Sequence, residues 1–149
     1  MTRSVYVTGI DRGDGRQVVE LGVMELLTRQ VDRVGVFRPL VHDGPDRLFE
    51  LLRARYRLAQ DPATVYGMDY HEASALQAEQ GTDELVSTLV DRFHLVARDY
   101  DVVLVLGTDF AATQLPDVLA LNAGMAIEFA ASVIPVVGGR GQTAESVRA

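Results

Sequence analysis

Thr8-Gly9-Ile10-Asp11-Arg12-Gly13-Asp14-Gly15-Arg16-Gln17 connects a short valine-bearing run, Ser4 to Thr8, to a stretch with helical apolar spacing. Three of the seven residues from Gly9 to Gly15 are glycine. Glycines let successive backbone N–H groups converge and let the chain approach an anion closely; a helix that follows adds partial positive charge at its N-terminus. A strand-to-helix loop of this composition is a candidate phosphate cradle made of Gly9, Asp11, Gly13, Gly15, Arg16 and Gln17. The alternative is a glycine-rich turn that binds nothing.

Spacing separates the known loop types. A Walker A loop puts four residues between its first glycine and the Gly-Lys-Ser/Thr, whereas five separate Gly9 from Gly15. A dinucleotide fingerprint would need glycines at 9, 11 and 14, where Asp11 and Asp14 break it. Five intervening residues are similar to the variant P-loop of the dethiobiotin synthetase superfamily, in which Gly-Lys-Ser/Thr follows. Arg16 and Gln17 stand in those places. Lysine is a compact charge that reaches between phosphates, and arginine is a bulkier planar fork. Glutamine offers a longer, neutral amide where a hydroxyl would ligate Mg²⁺.

Outward from the loop, three further apolar runs read as buried strands: Arg33 to Phe37, Asp101 to Leu106 and Val133 to Val137. They are continuous rather than alternating, as in strands covered on both faces of a parallel sheet. Helical patterns lie between them. Val19, Gly22, Val23, Leu26 and Leu27 share one face, with Gln17, Glu20, Glu25 and Thr28 on the other. Val86, Leu89, Val90, Phe93 and Ala97 make a second stripe, capped by Thr82, and Asp117 to Ala131 makes a third helix. Strand–helix alternation predicts an α/β fold, a doubly wound, mostly parallel sheet, over residues 1–149 as one domain. The connection from Leu40 to Gly81 is too long for a simple crossover; Asp46 to Tyr56 and Tyr70 to Glu79 within it look helical. The last strand leads through Gly138-Gly139-Arg140-Gly141 into a helix beginning at Thr143, which reads as a truncated version of a longer fold.

Composition narrows the chemistry. All fourteen positive side chains are arginine and there is no cysteine. Lysine-dependent phosphate binding, Schiff-base chemistry, carbamates, disulfides and thiolate metal sites are therefore excluded. A net charge of −7 argues against nucleic acid and anionic membranes as partners. With no apolar run of about 18 residues and no signal-peptide pattern, a cytoplasmic domain is expected.

Several segments in order carry a resemblance. They are Val5-Tyr6-Val7 with its glycine loop, Val34-Gly35-Val36-Phe37-Arg38-Pro39, Leu51-Leu52-Arg53-Ala54-Arg55-Tyr56 and Tyr66-Gly67-Met68-Asp69-Tyr70-His71-Glu72-Ala73. Tyr100 to Phe110, Leu121-Asn122-Ala123 and Ile134-Pro135-Val136-Val137 complete the set. Together they resemble the N-terminal domain of long-form bacterial phosphate acetyltransferase over essentially the whole chain. The resemblance implies a dethiobiotin-synthetase-like, P-loop NTPase-like fold placed ahead of the domain that converts acetyl-CoA and phosphate to acetyl phosphate and CoA in acetate metabolism. That acyltransferase domain would be absent here. What remains would be a non-catalytic regulatory and oligomerisation domain with a degenerate P-loop. Its partners would be the rest of the polypeptide, other copies and a small anionic metabolite.

Departures bear on ATP chemistry. The second strand of dethiobiotin synthetase ends in the lysine that takes the carbamate; Arg38 stands here and is never a nucleophile. That enzyme has a glutamate for Mg²⁺ before the glycine of its third strand, and this chain has Leu106 before Gly107. The usual Asn-Leu-Gly-Ala-Pro approach to the last strand is Glu128-Phe129-Ala130-Ala131-Ser132. No ATP, Mg²⁺ or other cofactor and no metal site is therefore expected. The competing reading is an autonomous ATP-dependent ligase or small P-loop ATPase of the same superfamily.

Further candidates lie at strand ends, which border the ligand crevice of a parallel sheet. Asp11 and Asp109 either face each other across one pocket or cap their own turns. Arg16 and Arg38 either grip an anion as forks or pair with Asp11, Asp14 or Asp43. Arg53, Arg55 and Arg57 form a solvated face or a subunit contact. His71-Glu72 lacks the second histidine of a zinc-protease motif, Ala75 standing in its place.

Overall fold

Val102-Val103-Leu104-Val105-Leu106 carries no polar side chain, and in the computed structural model every one of these residues is buried. The structure describes residues 2–10, 15–108 and 117–148. In chain order the elements are β1 (Arg3–Gly9), α1 (Arg16–Gln30), β2 (Val34–Val41), α2 (Arg47–Tyr56), β3 (Tyr66–Asp69) and α3 (Tyr70–Gln80). They continue with α4 (Thr82–Ala97), β4 (Val102–Leu106), α5 (Val118–Glu128), β5 (Ser132–Val136) and α6 (Ala144–Arg148); a 3-10 turn spans Pro62–Thr64.

The sheet runs β3-β2-β4-β1-β5, and every pairing is parallel. Alternate residues of β4 feed two apolar layers. Val103 and Val105 join Tyr6, Phe37, Leu89, Phe93 and Met125 on the side of α3, α4 and α5. Val102, Leu104 and Leu106 join Val7, Val36, Met24 and Leu52 on the side of α1 and α2. The fold is doubly wound as expected, because a strand buried on both faces needs helices on both.

Four local expectations change. The run Val133 to Val137, which reads as a buried strand, supplies β5 at the edge of the sheet, and Val133 and Val137 are exposed because only β1 lies beside it. A fifth strand, β3, fills the connection that was too long for a simple crossover, pairing Arg38 with Tyr66 and Leu40 with Met68. In α1 the inward face is Glu20 and Met24, whereas Leu26 and Gly22 are exposed; Glu20 does not lie on the outer face. Gly81, not Thr82, occupies the cap position of α4, and Thr82 opens the helix. The caps of α2, α3 and α5 follow short polar chemistry: Asp46, Asp69 and Asp117 accept from Phe49, Glu72 and Ala120 backbone N–H groups.

Candidate functional site

The strand ends of β1, β2 and β4 meet the starts of α1, α2 and α3 on one edge of the sheet. Gly9 ends β1 buried. Gly15 turns the chain into α1 with φ +113°, a left-handed geometry suited to glycine, and its carbonyl accepts from the Val18 and Val19 N–H groups. Arg16 and Gln17 open the helix, Gln17 being exposed. Asp11, Gly13 and Asp109 lie outside the described residues. Whether the two aspartates face one another is therefore not part of the described geometry.

Arg16 turns inward. Its Nη1 donates to the Gly107 carbonyl at 3.1 Å, and its Nε lies 3.3 Å from the Glu20 carboxylate. The Arg16 side chain is 12% exposed and that of Glu20 0%. A carboxylate so enclosed needs a cation beside it, and Arg16 one helical turn earlier supplies it. Gly107 must be glycine for this contact: a Cβ there would sit 2.7 Å from the Val7 carbonyl oxygen, which accepts from the Gly107 N–H at 2.8 Å.

Arg38 also binds within the chain. Its Nε donates to Asp46 Oδ2 at 2.6 Å, while Asp46 Oδ1 accepts from the Phe49 N–H at 3.1 Å. One carboxylate thus caps α2 and holds Arg38. Asp43, a partner suggested by sequence spacing, is exposed, and the pairing falls to Asp46.

Arg16, Gln17 and Arg38 line a common cavity of about 230 Å³. His42, Arg47 and Tyr70 line it too, and none of them was singled out from the sequence. The His42 and Tyr70 rings lie 4.4 Å apart. Arg16, Arg47 and Tyr70 are the first residues of α1, α2 and α3, so three helix N-termini border the cavity. Asp43 and Asp46 line it as well, and Arg16 and Arg38 are already held by Glu20 and Asp46, so what favours an anion there is the three helix N-termini and Arg47. Each of the missed residues stands at a strand end or helix start. Tyr70 reads as the start of a helix, but its place at the cavity does not show in the sequence, because β3, which delivers it, carries no alternation.

Behind the cavity a buried polar cluster ties α5 to the sheet. The Tyr6 hydroxyl donates to Asn122 Oδ1 at 2.7 Å, and the Thr108 N–H donates to the same oxygen at 3.0 Å. Complete burial pushes the Tyr6 hydroxyl far above its usual ionisation range, so it stays a donor. Leu106, the residue before Gly107, packs into the apolar layer with Val7 and Val36. Among the described residues, no three His, Cys, Asp or Glu side chains converge for a metal ion. No helix among them is long and apolar enough to cross a membrane.

Comparison with known proteins agrees with this architecture. A phosphate acetyltransferase of Synechocystis sp. is 25% identical over 130 residues, covering 85% of this chain and 19% of that protein. A phosphate acetyltransferase of Nitratidesulfovibrio vulgaris is 27% identical over 151 residues, 99% of this chain and 21% of that protein. One from Salmonella typhimurium is 29% identical over 113 residues, 72% and 15% respectively. The chain spans about a fifth of the length of the first two. The likeness read from the sequence is thus found again in these relatives. A family model described as AAA domain matches residues 3–149. With that match running over a parallel sheet of P-loop type, the chain belongs to this AAA domain family.

Proposed function

We propose that this chain is the non-catalytic regulatory and assembly domain of a phosphate acetyltransferase, and that its degenerate P-loop takes a small anionic metabolite in place of Mg·ATP. The acetyl transfer between CoA and phosphate belongs, on this reading, to the remainder of a cytoplasmic polypeptide, since the chain covers about a fifth of the relatives that bear the name. On this reading the cradle residues are those assigned from the sequence, Gly9, Asp11, Gly13, Gly15, Arg16 and Gln17, with Arg38 and Asp109 as further pocket residues; Asp11, Gly13 and Asp109 lie outside the described residues.

The observation that carries the proposal is Arg16. The cation at the head of α1 is drawn onto the Gly107 carbonyl and the Glu20 carboxylate, away from the role of a mobile phosphate-gripping ammonium. The donor set beside it does not fit a magnesium-bound triphosphate: Gln17 lacks a hydroxyl, and Leu106 puts an isobutyl group where a carboxylate would serve the metal. Three helix N-termini and Arg47 around a cavity of about 230 Å³ suit a small phosphate or carboxylate instead, with Arg16 and Arg38 fixed in its wall by Glu20 and Asp46.

The test is a melting titration of the purified chain. Inorganic phosphate should raise the melting temperature and Arg38→Gln should abolish that rise; a ligand at a hundredfold excess over Kd stabilises by about 2.7 kcal/mol. Mg·ATP should release no phosphate above a protein-free control. Turnover of ATP would return the chain to the ligase or ATPase reading, and indifference to phosphate would remove the anion site.

A further inference from the structure

We propose that the groove between α4 and α5 is the docking site for α2 of a second copy of this chain. The inference rests on the assembly part of the function proposed above and names the two surfaces that would meet. The groove measures about 740 Å³. Val86 and Val90 of α4 and Leu121 and Gly124 of α5 give it an apolar floor, and at Gly124 a Cβ would meet nothing within 4 Å. Its rim is acidic, with Asp83, Asp117 and Glu128, and no cationic side chain is among the described residues lining it.

The complementary surface is α2. Leu48, Phe49 and Leu52 of this helix are buried against the sheet. Its outer side exposes Ala54 and Leu51, the latter 51% accessible, between Arg47, Arg53, Arg55 and Arg57. Residues 47–57 hold four of the chain's fourteen positive side chains against one carboxylate, Glu50, in a molecule of net charge −7. An exposed leucine on a basic helix and an apolar trough with an acidic rim complement each other in polarity and charge; Arg55, 3.8 Å from Glu25 of α1, leaves that exposed pair for the groove.

The two surfaces belong to opposite layers: α2 packs with the Leu104 side of the sheet, and α4 and α5 with the Val103 side. They cannot meet within one molecule, so the contact is head-to-tail between copies. Such a contact closes into a ring or propagates. Leu51 enters over Gly124, and the arginines face the three carboxylates.

Sedimentation of the chain tests this. The wild type should self-associate, less so as NaCl rises from about 0.05 to 0.5 M. Asp83→Arg with Glu128→Arg reverses the groove, and Arg53→Glu with Arg55→Glu reverses the helix. Each double variant alone should sediment as a monomer, and an equimolar mixture should associate again. Gly124→Phe, which fills the floor without touching charge, should be monomeric with its melting transition intact. A wild type that stays monomeric at about 100 µM overturns the proposal together with the assembly reading, and leaves the anion site to its own titration. Association that survives charge reversal, that is not restored by mixing, or that tolerates Gly124→Phe overturns this surface alone.

Discussion

Ala130 holds φ +49°, a left-handed conformation in which its Cβ crowds the following carbonyl. The position lies in the turn from α5 to β5, where the resemblance leads one to expect glycine. Ala130→Gly relieves that crowding while adding freedom to the unfolded chain, and the first effect is the larger. The variant should gain about 0.5–1 kcal/mol in urea unfolding; equal or lower stability would show the turn to be unstrained. Arg16 and Gln17 carry a second prediction. Arg16→Lys with Gln17→Thr restores the letters of a nucleotide loop but leaves Leu106 packed between the strands and Glu20 ready to claim the new ammonium. Phosphate release from Mg·ATP should stay at the parent's level, and a clear rise would show that the loop alone sets activity. The strand before the loop and the helix after it were legible in the sequence. Glu20 was not: glutamate at a helical position reads as solvated, and only the enclosed Arg16 and the approach of Gly107 make burial tolerable.

At the scale of elements, most strands and helices declared themselves through continuous valine runs and i, i+4 stripes. The exception is β3, whose Tyr66-Gly67-Met68-Asp69 has neither alternation nor an apolar run. It forms along the edge of β2 that faces away from β4, whose backbone groups need partners of their own. Below the start of β3 the same need is met by a side chain. The Val36 N–H donates to Gln60 Oε1 at 2.7 Å, and Gln60 Nε2 donates to the Val36 carbonyl at 2.8 Å. The buried glutamine amide thus stands in for one peptide of an extra strand, a role no local pattern in the sequence announces. Gln60→Ala leaves two buried backbone groups of β2 without partners, at about 1–3 kcal/mol for each group left unsatisfied. A loss of about 3 kcal/mol in chemical unfolding is expected, and a loss below 1 kcal/mol would mean that water replaces the amide. The opposite edge is protected differently. The Ile10 N–H donates to the Val136 carbonyl, so by the two-residue period the nitrogen of Pro135 faces away from β1 and offers no donor to an incoming strand. Strand addition from another copy is thereby disfavoured at this edge.

The molecule as a whole contains no lysine and no cysteine, so between about pH 9 and 12 its side-chain titration is carried by tyrosine alone, arginine staying charged. Four of the five tyrosines hold their protons more tightly in the fold, burial being the largest cause in each: Tyr6, Tyr56, Tyr66 and Tyr100. Tyr66 is pushed up to about 12 from an ordinary 10.0, and Tyr6, wholly enclosed, is pushed further. The sign follows from which state keeps the protons. Below pH 10 both states are neutral and the stabilising difference is fully present. Above it the unfolded tyrosines ionise before the buried ones of the folded state, Tyr6 last, so stability is lost as pH rises toward the folded values. Tyr6 alone should contribute a slope of about 1.4 kcal/mol per pH unit over that window, because one proton is released on unfolding. Stability measured by urea unfolding should be flat from about pH 8 to 9.5 and then fall, with the last part of the tyrosinate absorbance appearing together with unfolding. Tyr6→Phe loses the hydrogen bond to Asn122 and is less stable near neutrality, but its alkaline slope should be shallower by one proton. Equal slopes in the two proteins would place the linked proton elsewhere and remove Tyr6 from the account.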